Sequence, residues 1–201
     1  MNEIEASYKL IMYPMISSMF YLSSCKLLSS YRVELKDMYE DTTPYQYLIK
    51  FTGAIYNLVM SIYSGVTFYL LCRELLNDYG SVFDYYAWLS NHLIQNTTIA
   101  TICWIFLHSK AVEYFDTFFI LLEGGKPIFL QEYHHFGAVW SWFLPLYVES
   151  SAMIIATLLN SFVHTVMYFY CSLSVFDSRK WLVLIKPLIT TMQLVQFFIA
   201  F

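Results

Sequence analysis

Two adjacent imidazoles, His134 and His135, open a strongly apolar run that follows Lys126-Pro127, with Gln131 just ahead of them. The chain has only five histidines in 201 residues, and 58% of it is hydrophobic. Polar groups at membrane depth are costly and usually functional. On a helix that has begun by Gln131, its amide lies three and four positions before the histidines, so all three can face one cavity. Such a set can ligate a metal or serve catalysis inside a polar pocket. A histidine pair at the headgroup level, hydrogen-bonded to water, gives the same pattern.

Three other clusters share this character. Lys110, Glu113, Asp116 and Thr117 fall within about a third of a helix circumference. They form either a polar pathway or a Lys110–Glu113 ion pair that neutralises itself in the bundle. Asn160 and His164 are four apart on one face, with Met167 and Tyr168 a turn further on. A buried histidine bonded to a neighbouring helix accounts for them equally well. Gln193 and Gln196 read as interhelical hydrogen-bonding groups of modest strength or as part of the same site. All of these clusters lie in the middle or in one half of their spans, which predicts convergence on a single polar cavity. Metal ligation fits poorly. Membrane di-iron sites need more histidines, His92 and His108 lie outside any box-like spacing, and adjacent helical residues point about 100° apart. Zinc on the pair plus His164 is disfavoured for that reason, and no metal is expected.

Positioning these groups requires a membrane scaffold. Charged residues make up 13% of the chain, about half of the roughly 25% of an average soluble domain, and aromatics make up 20%. A net charge of -4 offers no basic surface, so nucleic acid is excluded as a partner. Cys25, Cys72, Cys103 and Cys171 show no paired spacing and read as small apolar residues. Glu3 and Glu5, with no positive n-region, argue against a cleavable signal peptide.

A membrane helix needs roughly 20 apolar residues, and the stretches near 8–28, 48–71, 93–122, 129–148, 152–171 and 182–201 qualify. The fold class predicted is all-α, a polytopic bundle of about six transmembrane helices. The first span is the weakest, with Pro14 and many serines, and the third exceeds one crossing. Polar connectors are expected at 29–44, at 73–90 around the turn signal Asn77-Asp78-Tyr79-Gly80, and near Asp177, Arg179 and Lys180. Lys26, Arg32, Lys36, Lys50, Lys126, Arg179, Lys180 and Lys186 fall on one side, against Lys9 and Arg73 on the other. The positive-inside rule then sets the histidine pair near the cytosol and both termini in the lumen.

These motifs, in this order, resemble those of the ELO-type fatty-acid elongases, the membrane 3-ketoacyl-CoA synthases. The likeness rests on Lys-x-x-Glu-x-x-Asp-Thr at 110–117, Gln-x-x-His-His at 131–135, Asn-x-x-x-His-x-x-Met-Tyr at 160–168 and Thr-x-x-Gln-x-x-Gln at 190–196. It covers the chain from about Asn57 onward, and residues 1–201 are expected to form a single transmembrane domain of this type. Gln131 stands where the family usually has histidine, a form similar to that of elongases acting on polyunsaturated chains. The family has seven helices, so the last is expected to be missing from this sequence.

The resemblance implies condensation of a long-chain acyl-CoA with malonyl-CoA to 3-ketoacyl-CoA, CoA and carbon dioxide, with no cofactor. The acyl group would be carried on an imidazole, and His134 matches the nucleophile. His135 and Gln131 would hold its tautomer and orient the thioester. His164, held by Asn160, would position malonyl or stabilise the enolate. Lys110 would balance a carboxylate or phosphate, with Glu113 and Asp116 fixing Lys110 or a histidine. Tyr168, Gln193 and Gln196 complete the substrate-binding set. The implied setting is the endoplasmic reticulum membrane, among membrane lipid, with self-association or contact with other elongation-cycle enzymes. The alternative is a silent elongase-like membrane protein that binds acyl-CoA or a partner elongase.

Overall fold

The computed structural model describes residues 3–41, 43–79, 97–175 and 180–200, and every regular element among them is an α-helix. In chain order these are α1 (Glu3–Ser30), α2 (Arg32–Asp41), α3 (Thr43–Tyr79), α4 (Thr97–Val112), α5 (Tyr114–Leu122), α6 (Phe129–Tyr147), α7 (Ala152–Ser174) and α8 (Lys180–Ala200). The all-α membrane class read from the sequence is the observed one. Pro44–Asn77 and Ala152–Ser174 are long and apolar enough to cross a bilayer. The expected features at Gly80, His92, Leu93, Asp177 and Arg179 lie outside the described residues.

Local structure departs from expectation in three places. The polar connector after the first span is itself helical, as α2. Its mix of Glu, Lys, Met and Leu favours helix over coil, and tertiary docking holds so short a segment. The long third span breaks at Glu113, where Asp116 N–H bonds the Glu113 carbonyl at 3.1 Å, a tighter turn than the α-helical one. The first span, weakest in sequence, forms an uninterrupted helix with Pro14 inside it. Membrane helices tolerate the lost backbone bond when neighbours re-satisfy the freed group.

Contacts cluster into two compact units, Met1–Ile49 with Leu107–Leu144, and Lys50–Phe106 with Pro145–Phe201. In the first, α1 and α2 both pack against α5. The end of α5 is a Schellman turn. Gly125 N–H reaches the Ile120 carbonyl and Gly124 N–H the Leu121 carbonyl, each at 2.9 Å, with Gly124 at φ +71°. Two side chains cover the carbonyls left over. Arg32 Nε donates to Gly124 O and Tyr45 OH to Leu122 O, both at 3.1 Å. Lys36 of α2 lies directly over Gly124, so that a side chain there would strike its backbone. The Gly-Gly pair is thus a seat for α2 as well as a helix stop.

Unit two is built on α7, whose residues 153, 157, 160, 164 and 168 recur every three or four positions along one buried face. It packs along α8. Ser61 of α3 donates to the Thr165 carbonyl at 2.8 Å, and Ser172 to the Ala54 carbonyl at 3.1 Å. At Gly65 a Cβ would meet Thr165 at an ordinary 3.5 Å, so the approach of α3 to α7 does not require a glycine there. The small hydroxyl residues Ser61, Ser64 and Thr67 fill the buried face of α3, while Val59, Ile62 and Val66 turn outward. Polar inside and apolar outside is the arrangement a lipid environment selects.

Candidate functional site

Unit one gathers the Lys110 box and the histidine box. Lys110 closes α4 and is almost wholly buried, with Nζ 2.7 Å from Glu113 Oε1. The ammonium also stands 4.5 Å from the centre of the Trp142 ring on α6. In an apolar interior a charge must be paired, and both contacts serve that need. Lys110 therefore takes the self-neutralising pair that its spacing left open. A substrate anion would have to compete with Glu113 for it.

One and a half turns further on, Asp116 Oδ2 lies 3.9 Å from His135 Nε2. His135 and Trp142 are seven apart on α6 and so share a face. The two contacts, Lys110 with Trp142 and Asp116 with His135, fix α6 antiparallel to the α4–α5 rod. Thr117 is fully buried and shares a 3.1 Å hydrogen bond with Tyr21 OH of α1. Gln131 and His134, one position round the helix from His135, are only half-buried. The two imidazole rings sit 5.6 Å apart and tilted by 59°, so the pair divides between two directions.

Sequence reasoning missed the contribution of α1. Ser17 Oγ donates to Tyr114 OH at 3.1 Å, and Trp140 Nε1 donates to Ser18 Oγ at 3.0 Å. Tyr21 stacks on Tyr114 with centroids 4.4 Å apart. The signal was present as a Ser17-Ser18-x-x-Tyr21 face in an otherwise apolar span, and it passed as helical weakness.

Unit two holds the remaining residues. Asn160, His164 and Tyr168 lie on the buried face of α7. The His164 and Tyr168 rings meet edge to face at 5.4 Å, and Tyr56 of α3 presents its edge to Tyr168 at 6.2 Å. Gln193 on α8 donates to the Met167 thioether at 3.1 Å. Sulfur is a weak acceptor, so this bond is readily exchanged for a carbonyl. Gln196 is buried, and its carbonyl oxygen meets no hydrogen-bond donor among the described residues. The structure thus brings the sequence-derived residues together as two groups, the Lys110, Glu113, Asp116, Gln131, His134 and His135 set in one unit and the Asn160, His164, Tyr168, Gln193 and Gln196 set in the other. Among the described residues no group of three or more His, Cys, Asp or Glu side chains is placed to hold a metal.

Similar proteins were found by sequence. The chain is 31% identical over 147 residues to very long chain fatty acid elongase 2 of Mus musculus, covering 71% of this chain and 49% of that one. It is 33% identical over 153 residues to long chain fatty acid elongase 2 of Caenorhabditis elegans, covering 74% and 54%. With very long chain fatty acid elongase 4 of Homo sapiens it shares 31% over 170 residues, or 80% and 52%. The chain spans about half the length of the curated relatives it matches. Residues 7–201 match the ELO family, described as GNS1/SUR4, and the chain belongs to that family.

Proposed function

We propose that this chain condenses a long-chain acyl-CoA with malonyl-CoA through an acyl group carried on His134. The observation that carries the reading is the unequal burial of the two imidazoles. His135 is 5% exposed and set against Asp116, while its neighbour His134 is only half-buried. Family membership supports the same chemistry.

In the first stage a neutral His134 nitrogen attacks the thioester carbonyl. The carbon–nitrogen bond forms, the carbon–sulfur bond breaks, and CoA leaves as thiolate, taking the proton that the imidazole releases. His135, through Asp116, holds the neighbouring ring steady, and the Gln131 amide donates toward the carbonyl oxygen. In the second stage malonyl-CoA loses carbon dioxide, and the electron pair of that bond becomes an enolate. Its carbon attacks the acyl carbonyl, the carbon–nitrogen bond breaks, and the departing nitrogen takes up a proton from the medium, which restores the neutral imidazole. His164 with Asn160 and Tyr168 is the set for the malonyl carboxylate or the enolate oxygen. Gln193 and Gln196 supply amide donors for the thioester. The apolar surroundings would exclude water, which protects an acyl-imidazole from hydrolysis. A polyunsaturated acyl chain is the substrate suggested by Gln131 in the histidine box, and the endoplasmic reticulum is the membrane suggested by the resemblance.

Microsomes expressing the chain, supplied with labelled malonyl-CoA and a panel of acyl-CoAs, test this. Product that disappears in His134→Ala supports the condensing enzyme. Absence of product with every acyl-CoA, while acyl-CoA is still bound, supports the silent acyl-CoA-binding alternative.

A further inference from the structure

The first helix carries none of the motif residues, yet its side chains hydrogen-bond to helices that do. Ser17, Ser18 and Tyr21 occupy about 100° of its circumference. Through them α1 holds Tyr114 and Thr117 of α5 and Trp140 of α6. Tyr21 is fully buried. Its ring stacks on Tyr114, and both rings meet the His135 ring, Tyr21 at 6.2 Å and tilted, Tyr114 at 6.5 Å and edge-on. Asp116 addresses Nε2 of the same imidazole. The His135 ring is thus bounded by two phenols that are themselves anchored, one to Thr117 and one to Ser17.

We infer that Tyr21 is a positioning residue for the histidine pair. Its ring fixes the plane of His135 and keeps that imidazole closed to reagents. The carboxylate alone does not set that plane, because rotation about the ring's long axis keeps Nε2 near the same oxygen. Two stacked phenols remove that freedom. Side chains this closely packed have few alternative rotamers, and His134, on the adjacent residue, inherits the backbone position so defined. Tyr21 touches neither substrate nor reacting atoms. The catalytic meaning of the inference rests on the condensing reading, but the geometric part does not.

The test separates the two. The purified chain in lipid nanodiscs is treated with diethylpyrocarbonate, and carbethoxylation at His134 and His135 is followed by peptide mass spectrometry. In the parent chain the less buried His134 is expected to react faster than His135. Tyr21→Leu, or Tyr21→Met where the leucine variant does not accumulate, is expected to raise labelling of His135 about tenfold. Tyr21→Phe retains the ring and stays within about twofold of the parent, although it loses the bond to Thr117. Ser17→Ala, which loosens α1 without removing a ring, leaves His135 protected. Unchanged His135 labelling in the leucine or methionine variant overturns the inference. So does an equal rise in Tyr21→Phe or Ser17→Ala, which would mark a general loosening of α1. In the condensation assay the leucine variant is expected to lose kcat with KM nearly unmoved, and Tyr21→Phe to recover it. A parent chain that makes no product defeats the condensing reading and leaves the labelling result standing.

Discussion

The buried pair Lys110–Glu113 gives the sharpest energetic prediction. Both side chains are 1% exposed, 2.7 Å apart, and the ammonium lies over Trp142. Replacing Lys110 by Met keeps most of the apolar stem but strands a carboxylate in an apolar interior. Breaking a buried pair in this way costs about 3–5 kcal/mol, most of it the penalty of the charge left behind. Loss of the cation–π contact adds about 1–2 kcal/mol at a desolvated site. Lys110→Met and Glu113→Leu are therefore each expected to destabilise the chain by more than about 3 kcal/mol. The double variant removes both charges together and fills the space with apolar atoms, so it should lie within about 2 kcal/mol of the parent. The coupling between the sites then exceeds about 3 kcal/mol and marks a direct interaction. Equilibrium unfolding in mixed micelles, followed by tryptophan fluorescence, reads all four corners of the cycle. Single variants within 1 kcal/mol of the parent, or a double variant as damaged as the sum of the singles, would refute the assignment of this pair as a self-contained ionic unit.

The two helix stops carry predictions of opposite sign. Gly124→Ala puts a side chain at φ +71° and against the backbone of Lys36, and it should destabilise by more than about 2 kcal/mol and release α2, seen as faster amide exchange over 32–41. After α6, Ser150 N–H bonds the Pro145 carbonyl at 2.8 Å, and Glu149 occupies the left-handed position at φ +55°. Glu149→Gly should relieve that strain and stabilise by about 1 kcal/mol in the same unfolding assay. Asp116→Asn removes the charge beside His135 while keeping its shape. It should lower the condensation rate about tenfold, through loss of the negative charge beside the imidazole. His134→Ala should abolish condensation outright, with little change in the unfolding midpoint.

The helices were largely legible in the sequence because lipid leaves the backbone little alternative. Long apolar runs and their polar gaps mark α6, α7 and α8 within about three residues, while α1 and α3 run beyond their expected spans by as much as eight. What was misread depended on packing. The composition of residues 32–41 favours helix without deciding it in so short a segment, since α2 is held by the Gly124 seat some ninety positions away. The break at Glu113 left no proline or glycine to announce it. The faces of Lys110 and Glu113, and of Asn160 and His164, followed from spacing alone. Their partners did not, because helical periodicity says which side chains point together and never which neighbouring helix they meet.

The contacts of unit one also explain why structural and chemical readings of its motifs were so evenly matched. Between helices in lipid, apolar packing gives little preference for one register over the next, since lipid tails are as apolar as leucine. Directional contacts must supply the choice. Sliding α6 by one residue against the α4–α5 rod would part Asp116 from His135 and Lys110 from Trp142 together. Sliding α1 would part Ser17 from Tyr114, Ser18 from Trp140 and Tyr21 from Thr117. Lys110, Asp116 and His135, which a condensing reaction could use, are therefore also side chains the helices need in order to find their places. Selection for chemistry and selection for register act on the same side chains. A variant that fails in catalysis has to be tested for register before its residue is given a chemical role.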